Sequence, residues 1–174
     1  NGTYTLCLED DLKKQCQQKL NCLHLEEKQK IINIIIRLTN EKHGTSVIFM
    51  NGGSVAREVN RLNGMNRCIK LSKTEGEEAE KKEVGIDLDS YLNEMKGITA
   101  IDGALLADLR GRLYAIGCIL DGEAVKPGKV SRGARYNSVM NYLYVLKDKK
   151  EYKDICAFGV IISEDETVDI VIPD

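Results

Sequence analysis

Residues 103–120, with the sequence GALLADLRGRLYAIGCIL, decide the predicted fold because they hold two apolar runs separated by a polar turn. The first run covers 103–107, the second covers 113–120, and the turn sequence DLRGR lies between them. A turn of this length joins the two strands of a β-hairpin. Because the runs are continuously apolar and do not alternate, we expect both strands to be covered on both faces.

Apolar periodicity elsewhere predicts an α/β fold, a single domain with a central mixed β-sheet flanked by helices. The other predicted strands are 46–50, 67–71, 155–162 and 168–172, and the predicted helices are 9–23, 25–42, 54–62, 88–95 and 134–147. Apolar residues cover more than one stripe of helix 25–42, so it is packed on two sides, or packed once and used again in an interface. Gly44 is its expected stop, Ser54 is the expected cap of the next helix, and the charge run at 72–83 predicts a solvated loop.

The composition suits one globular domain. The chain has 174 residues, of which 43% are hydrophobic, enough for a full core. Charged residues make up 30% but nearly cancel at a net charge of −2, which argues against a nucleic-acid-binding surface. No apolar run approaches the ~20 residues of a membrane span, and no cleavable signal is visible. We therefore expect a cytoplasmic protein with no membrane contact. Because Asn1 is not an initiator residue, we also expect that the sequence starts at a processed end or is a piece of a longer protein.

Six cysteines lie at positions 7, 16, 22, 68, 118 and 156 without any CxxC pair. This pattern predicts free, buried thiols in a reducing compartment. A zinc site is disfavoured, because His24 and His43 are the only histidines and neither stands at ligand spacing from a cysteine pair.

Two acidic segments border the predicted strands. Asp102-Gly103-Ala104 stands at the entry of the first hairpin strand, where a glycine lets another backbone or a ligand come close. The Asp102 carboxylate either caps the turn after Thr99, or holds a divalent metal or accepts a hydroxyl proton. The acid cluster at 163–166 is either a solvated turn or places one carboxylate near a metal or a ribose.

A basic segment at 131–138, SRGARYNS, lies where a glycine-rich loop at 121–133 enters a helix. Free backbone N–H groups at a helix N-terminus, with Arg132 and Arg135 nearby, make a favourable phosphate site. The helix dipole is positive at this end, so arginines there indicate that an anion binds. The Gly-Gly pair at 52–53 is a weaker phosphate candidate, because it lacks the Walker lysine and the GxGxxG spacing, and a plain turn is the alternative.

Together these segments resemble the diadenylate cyclase domain family (DisA N-terminal-like). In that family a DGA motif opens a strand hairpin that ends in Gly-Cys, a Gly-Thr-Arg-His-Arg motif starts a helix, and a later strand ends in Ser-Glu-Glu. The matching positions here read DGA at 102–104, GCIL at 117–120, GARYN at 133–137 and SED at 163–165. The resemblance is clear from about Ile98 onward and vaguer from 45 to 97. It implies a nucleotide-binding domain at 25–174 with its core at 45–174, after a helical N-terminal extension at 1–24.

The family condenses two ATP molecules to cyclic di-AMP with Mg²⁺ or Mn²⁺ in a face-to-face dimer. The resemblance therefore implies ATP or cyclic di-AMP as ligand, a homodimer or higher homo-oligomer, and no direct nucleic-acid binding. It assigns catalysis to Asp102, Gly103 and Arg135, and the metal to Asp102. It assigns nucleotide binding to Ala104, Gly117, Cys118, Ile119, Leu120, Arg132, Gly133, Ala134, Tyr136, Asn137, Ser138, Ser163 and Glu164.

One departure from the family pattern leaves more than one function open. The family's Arg-His-Arg is replaced by Arg135-Tyr136-Asn137, which removes an imidazole and a cation from the triphosphate site. Losing one charge-assisted contact to a phosphate costs about 1.5–3 kcal/mol. The sequence is compatible with an active cyclase that carries a variant motif, with a catalytically silent nucleotide-binding sensor of the same fold, and with an unrelated structural domain whose motifs are coincidental.

Overall fold

A computed structural model describes residues 2–20, 23–41, 43–76, 81–94, 97, 101–121, 133–152, 156–164 and 167–173. Within these ranges the side chains are described from residue 10 onward, except at 151. The helices are α1 (Gly2–Lys19), α2 (Leu25–Thr39), α3 (Gly52–Gly64), α4 (Leu88–Glu94) and α5 (Ala134–Asp148), with a 3₁₀ turn at Lys150–Tyr152. The strands are β1 (Thr45–Met50), β2 (Ile69–Lys70), β3 (Lys73–Glu75), β4 (Lys82–Val84), β5 (Ile86–Asp87), β6 (Ala104–Asp108), β7 (Arg112–Cys118), β8 (Ala157–Ile162) and β9 (Val168–Val171).

In the described part of the chain, seven strands form one mixed sheet. The strand order is β2-β7-β6-β1-β8-β9, with β5 also paired to β7, and β3 and β4 form a separate two-stranded sheet. Strands β1 and β6 are parallel, whereas β6–β7, β1–β8 and β8–β9 are antiparallel. Helices cover the sheet on both faces, which confirms the predicted α/β class with a central mixed sheet.

The central strand β1 is buried along its whole length. Val47 and Phe49 face the core layer that α1, α2 and α4 cover, while Ile48 and Met50 face the layer that α3 and α5 cover. Phe49 stacks on its β8 neighbour Phe158 with ring centroids 5.2 Å apart. Because successive side chains of a strand point to opposite faces, a strand between two apolar layers needs a continuous apolar run. The hairpin strands β6 and β7 likewise contribute residues to both layers, so the prediction that they are covered on both faces is confirmed.

Helix α2 is packed on two sides. Its residues Ile31, Ile34 and Ile35 are fully buried, and they lie in one apolar cluster with residues of β1 and β8 and with Leu12 and Cys16 of α1. The sheet covers one side of α2 and α1 covers another, which explains why apolar residues occupy more than one stripe of this helix.

Several predicted boundaries are wrong, for local reasons. Helix α2 ends at Thr39 and not at 42, because the backbone N–H of Asn40 closes its last turn, so Gly44 is not its stop. Helix α3 begins at Gly52 with Asn51 as its N-cap, and Ser54 lies inside the helix. Strand β2 is shorter than the predicted 67–71, and the expected loop at 72–83 contains the antiparallel pair β3–β4.

The prediction that all six cysteines are free thiols is wrong. Cys156 is disulfide-bonded, whereas Cys16, Cys68 and Cys118 are free thiols as predicted. The side chains of Cys7 and Cys22 lie outside the described part of the chain. Cysteine spacing alone does not reveal a disulfide when its formation depends on which sulfur atoms the fold brings together.

A buried carboxylate links α3 to α5. Glu58 is 0% exposed and accepts hydrogen bonds from Arg61 Nε (2.9 Å) and from the hydroxyls of Tyr142 (2.7 Å) and Tyr152 (3.2 Å). Arg61 also donates from Nη1 and Nη2 to the two carboxylate oxygens of Asp121, at 2.7 and 2.6 Å. The network thus connects two helices, the 3₁₀ turn and the segment that follows β7.

The charge of Glu58 is retained inside this network. Burial acts to raise the pKa of Glu58, but the hydrogen bonds from Arg61 and Tyr142 outweigh it and hold the pKa below its usual value. A carboxylate whose folded pKa is lowered stabilises the fold above its unfolded pKa, and this contribution is lost as pH falls through the folded pKa.

We expect Arg61→Ala to lower the free energy of unfolding by about 3–5 kcal/mol, because it leaves a buried carboxylate without its counter-charge. The matched control is Lys30→Ala, which breaks the exposed ion pair between Lys30 and Asp87 and should cost under about 1 kcal/mol. Urea unfolding followed by circular dichroism at pH 7 measures both values. Equal losses in the two variants would contradict a special role for the Glu58 network.

Candidate functional site

One cavity of about 960 Å³ opens at the edge of the main sheet where β7 and β8 end and where β1, β6 and β9 begin. The N-terminus of α5 forms part of its wall. The residues that line it are Ser46, Asp102, Gly103, Ala104, Gly117, Cys118, Ile119, Leu120, Gly133, Ala134, Arg135, Tyr136, Ser138, Ile161, Ser163, Thr167 and Asp169. Segments distant in sequence therefore meet at one sheet edge.

Two glycines shape the floor of the cavity between β6 and β7. A Cβ atom on Gly103 would lie 2.6 Å from the carbonyl carbon of Gly117 and 2.9 Å from the backbone N of Cys118. Gly103 has φ +108° and Gly117 has φ +59°, values that favour glycine. The close approach of another backbone, expected at Gly103 from the sequence, is present, and it brings Asp102 next to the end of β7.

Asp102 presents an exposed carboxylate to the cavity. Its Oδ1 accepts a hydrogen bond from the backbone N–H of Gly103 at 3.0 Å. A carboxylate has about four acceptor positions, so most of the capacity of Asp102 remains for a metal ion or a hydroxyl group.

The start of α5 is suited to an anion. Its N-cap is Gly133, which makes no side-chain capping bond, and its first turn contains no acidic residue. Arg135, in that first turn, is exposed and has no hydrogen bond or ion pair with any residue in the described part of the chain. Phosphate binding at this position is favoured by the free backbone N–H groups, by the positive end of the helix dipole and by the available guanidinium of Arg135.

The end of β7 supplies an apolar wall. Ile119 is 61% exposed and Leu120 is half-buried, and both line the cavity. Contact with the Cys68 thiol, together with burial, raises the pKa of the Cys118 thiol. Cys118 therefore stays neutral at physiological pH, and it acts as a small apolar group in the wall and not as a nucleophile.

Four cavity residues were not predicted from the sequence: Ser46, Ile161, Thr167 and Asp169. Ser46 is the second residue of β1, a buried strand that is apolar from Val47 onward, and Asp169 interrupts the apolar residues of β9. A polar residue within a buried strand run was the available signal. This signal marks the polar residue as unusual, but it does not show that β1 and β9 lie at the same end of the sheet as residues 102–104.

In the described part of the chain two predicted site residues, Asn137 and Glu164, do not line the cavity, and a third lies outside the described residues. Asn137 lies in the first turn of α5 with its Oδ1 buried, because this position faces away from the cavity that Arg135, Tyr136 and Ser138 contact. Glu164 follows β8 and is exposed, whereas its neighbour Ser163 lines the cavity. Arg132, like most of the predicted loop at 121–133, lies outside the described residues.

The alternative phosphate candidate at Gly52 and Gly53 lies at the opposite edge of the sheet, at the start of α3. A Cβ atom on Gly52 would lie 3.7 Å from Oδ2 of Asp108. Asp108 is buried and accepts hydrogen bonds from the backbone N–H groups of Arg110 and Arg112, both at 2.9 Å, so it closes the β6–β7 turn. A carboxylate next to this helix start disfavours a second anion there.

Within the described ranges, no group of three or more His, Cys, Asp or Glu side chains is placed to hold a metal ion. Among the same residues, no helix is long and apolar enough to cross a membrane.

Neither a scan against protein-family models nor a search of curated proteins finds a match to this chain. The functional interpretation therefore depends on the cavity and on the residues that line it.

We expect Gly103→Ala to lower the free energy of unfolding by about 2 kcal/mol or more. The added Cβ atom would clash with the backbone of β7, and alanine would also have to adopt an unfavourable positive φ. The control is Gly64→Ala, at the end of α3, where a Cβ atom would meet nothing within 4 Å. Urea unfolding followed by circular dichroism compares the two variants. An unfolding midpoint of Gly103→Ala equal to that of the wild type would show that the contact between Gly103 and β7 is not tight.

Proposed function

We propose that this chain is an adenine-nucleotide-binding domain of the diadenylate cyclase type. The observation that supports the proposal is that one cavity is lined by residues from all four segments that carry the resemblance. Its volume of about 960 Å³ lies at the upper end of the ~300–1,000 Å³ range of small-molecule sites, which suits a nucleotide.

The lining matches the two halves of a nucleotide. The N-terminus of α5 and Arg135 would bind the phosphates through charge-assisted hydrogen bonds. Ile119 and Leu120 offer an apolar wall on which an adenine ring can pack.

Mg²⁺ or Mn²⁺ fits the donor chemistry of the cavity. Such ions are usually held by oxygen atoms from one or two carboxylates together with substrate phosphates, and do not need a cluster of protein ligands. Asp102 would hold the ion, because it presents a carboxylate with free acceptor positions. When bound, the metal would neutralise charge on the phosphate oxygens.

In the cyclase reaction the 3′-hydroxyl of one ATP attacks the α-phosphate of another ATP, held by a second copy of the chain, and the bond from that α-phosphate to its β-phosphate breaks to release pyrophosphate. Asp102 would lie beside the attacking hydroxyl and accept its proton. Arg135 and the α5 N–H groups would hold the phosphates in line with it. Phosphoryl transfer depends mainly on positioning and charge neutralisation, so the reaction requires a face-to-face homodimer that brings two such cavities together.

A silent nucleotide sensor of the same fold is the second candidate, and the chemistry of two residues favours it. Asn137 does not line the cavity, and Tyr136 lines it with an uncharged phenol ring that also packs against the core. The positions that carry an imidazole and a second arginine in the cyclases therefore offer no cation to the phosphates here. A sensor needs the pocket but not the transition-state contacts that these groups supply.

A domain that uses ATP or cyclic di-AMP belongs in the cytoplasm, where we place this chain. The free thiols of Cys16, Cys68 and Cys118 agree with a reducing compartment. The disulfide of Cys156 does not follow that pattern.

If the domain is a cyclase, the purified chain will convert ATP to cyclic di-AMP with Mn²⁺ or Mg²⁺. Asp102→Asn should then lower the rate about 100-fold or more, as loss of a general base does. Liquid chromatography with mass identification measures the product, and Asp148→Asn, an exposed acid at the end of α5, is the control. Saturable ATP binding without product supports the sensor, and absence of both binding and product contradicts the nucleotide proposal.

Arg135→Ala should weaken ATP binding about 10- to 100-fold, because it removes a charge-assisted phosphate contact. The salt dependence of the affinity should fall as well, since one ion pair is lost. Calorimetric titration without divalent metal measures binding separately from turnover. The control is Arg110→Ala, which removes an exposed arginine from the turn at the opposite sheet edge. Equal affinities for Arg135→Ala and the wild type would exclude Arg135 from the phosphate site.

A further inference from the structure

The position of Gly44 in the fold does not by itself explain why a glycine occupies it. It lies between α2 and β1, but α2 already ends at Thr39. Its backbone is not in the left-handed region, because positive φ values among the described glycines occur at 76, 97, 103, 111 and 117. Neither helix termination nor backbone conformation therefore requires a glycine at position 44.

The space around Gly44 does require one. A Cβ atom there would lie 2.7 Å from Nη1 of Arg135, 2.8 Å from the carbonyl oxygen of Ile162 and 3.2 Å from the backbone N of Glu164. Real Cβ atoms essentially never approach other heavy atoms within 3.0 Å. The carbonyl oxygen of Ile162 is fixed backbone and by itself requires a glycine here, whereas the guanidinium of Arg135 ends a flexible side chain that a Cβ atom at residue 44 would push aside.

This contact matters because little else in the described residues orients Arg135. Its side chain is exposed and makes no hydrogen bond or ion pair with the described part of the chain. A long, unpaired arginine samples many rotamers, and ordering it on ligand binding costs conformational entropy. Open space above the backbone of Gly44, next to the end of β8, gives the guanidinium a place to lie at the edge of the cavity.

We propose that Gly44 is a positioning residue for the phosphate site, because its missing side chain leaves the space in which the guanidinium of Arg135 lies. The inference rests on the proposed function, since it takes Arg135 as the phosphate-binding group. Gly44 itself does not line the cavity and does not touch the ligand.

The test is a double-mutant cycle of Gly44→Ala and Arg135→Ala, read by calorimetric titration with ATP without divalent metal. In the wild-type background we expect Gly44→Ala to weaken binding about 10-fold, as displacement of one charged contact does. In the Arg135→Ala background the same change should alter the affinity less than about 2-fold, because the group that Gly44 positions is absent. Gly53→Ala, where a Cβ atom would meet nothing within 4 Å, should keep the wild-type affinity.

The salt dependence of ATP binding gives a second readout. It tests the inference even if the Arg135→Ala variant binds ATP too weakly for the double-mutant cycle to be measured. Gly44→Ala should bind with a smaller salt dependence than the wild type if the arginine contact is lost. Weaker binding with an unchanged salt dependence would mean that the alanine distorts the backbone at Ile162, and would overturn the inference. Wild-type affinity in Gly44→Ala would overturn it too.

Failure of the wild type to bind ATP would instead overturn the proposed function. Thermal unfolding of each variant confirms that the folded protein is being titrated.

Discussion

The buried charge of Glu58 is the constraint on which the placement of the surrounding elements depends. The carboxylate is fully removed from solvent and is held by Arg61 from its own helix, by Tyr142 from α5 and by Tyr152 from the 3₁₀ turn. An unpaired buried charge is strongly destabilising, so these elements must assemble together. Arg61 extends the network to Asp121, which follows the apolar wall of the cavity. One ionic network therefore fixes α3 and α5 against the sheet and secures the end of the wall.

The cavity depends on a second constraint, which is backbone proximity. Gly103 approaches the chain at Gly117 more closely than any side chain would allow, and Gly44 leaves room for the guanidinium of Arg135. In both places the missing Cβ leaves room beside a candidate site residue: Asp102 in the first case and Arg135 in the second. The site is built by glycines that do not themselves carry chemistry.

The choice between catalysis and sensing depends on a few positions. Asp102 keeps the carboxylate that a cyclase needs at the attacking hydroxyl, and a sensor has less use for it. Asn137 does not line the cavity, and Tyr136 lines it without a positive charge, so the phosphates would be held by Arg135 and helix N–H groups. Such an arrangement would bind an anion in its ground state. Whether it also stabilises the transition state depends on what the second protomer brings to a paired cavity.

The sequence by itself determined the elements whose signal is local. The apolar runs of β1, β6 and β7 and the start of α5 at Ala134 follow from side-chain period and from turn residues, which act within a few positions of the chain. The candidate site residues from 102 to 138 were assigned from short motifs that resemble a known family, and such motifs are also local. The structure decided the rest. Asn51 and not Ser54 caps α3, β3 and β4 pair within a charged segment, and Cys156 enters a disulfide. Tertiary structure also brought Ser46 and Asp169 to the cavity and gave Gly44 its neighbour Arg135. The cap and the β3–β4 pair are local features that the cap and turn signals did not distinguish. The disulfide, the two cavity residues and the contact of Gly44 depend on which distant segments the fold brings together, and that is set by the burial of the whole core and not by any one stretch of chain.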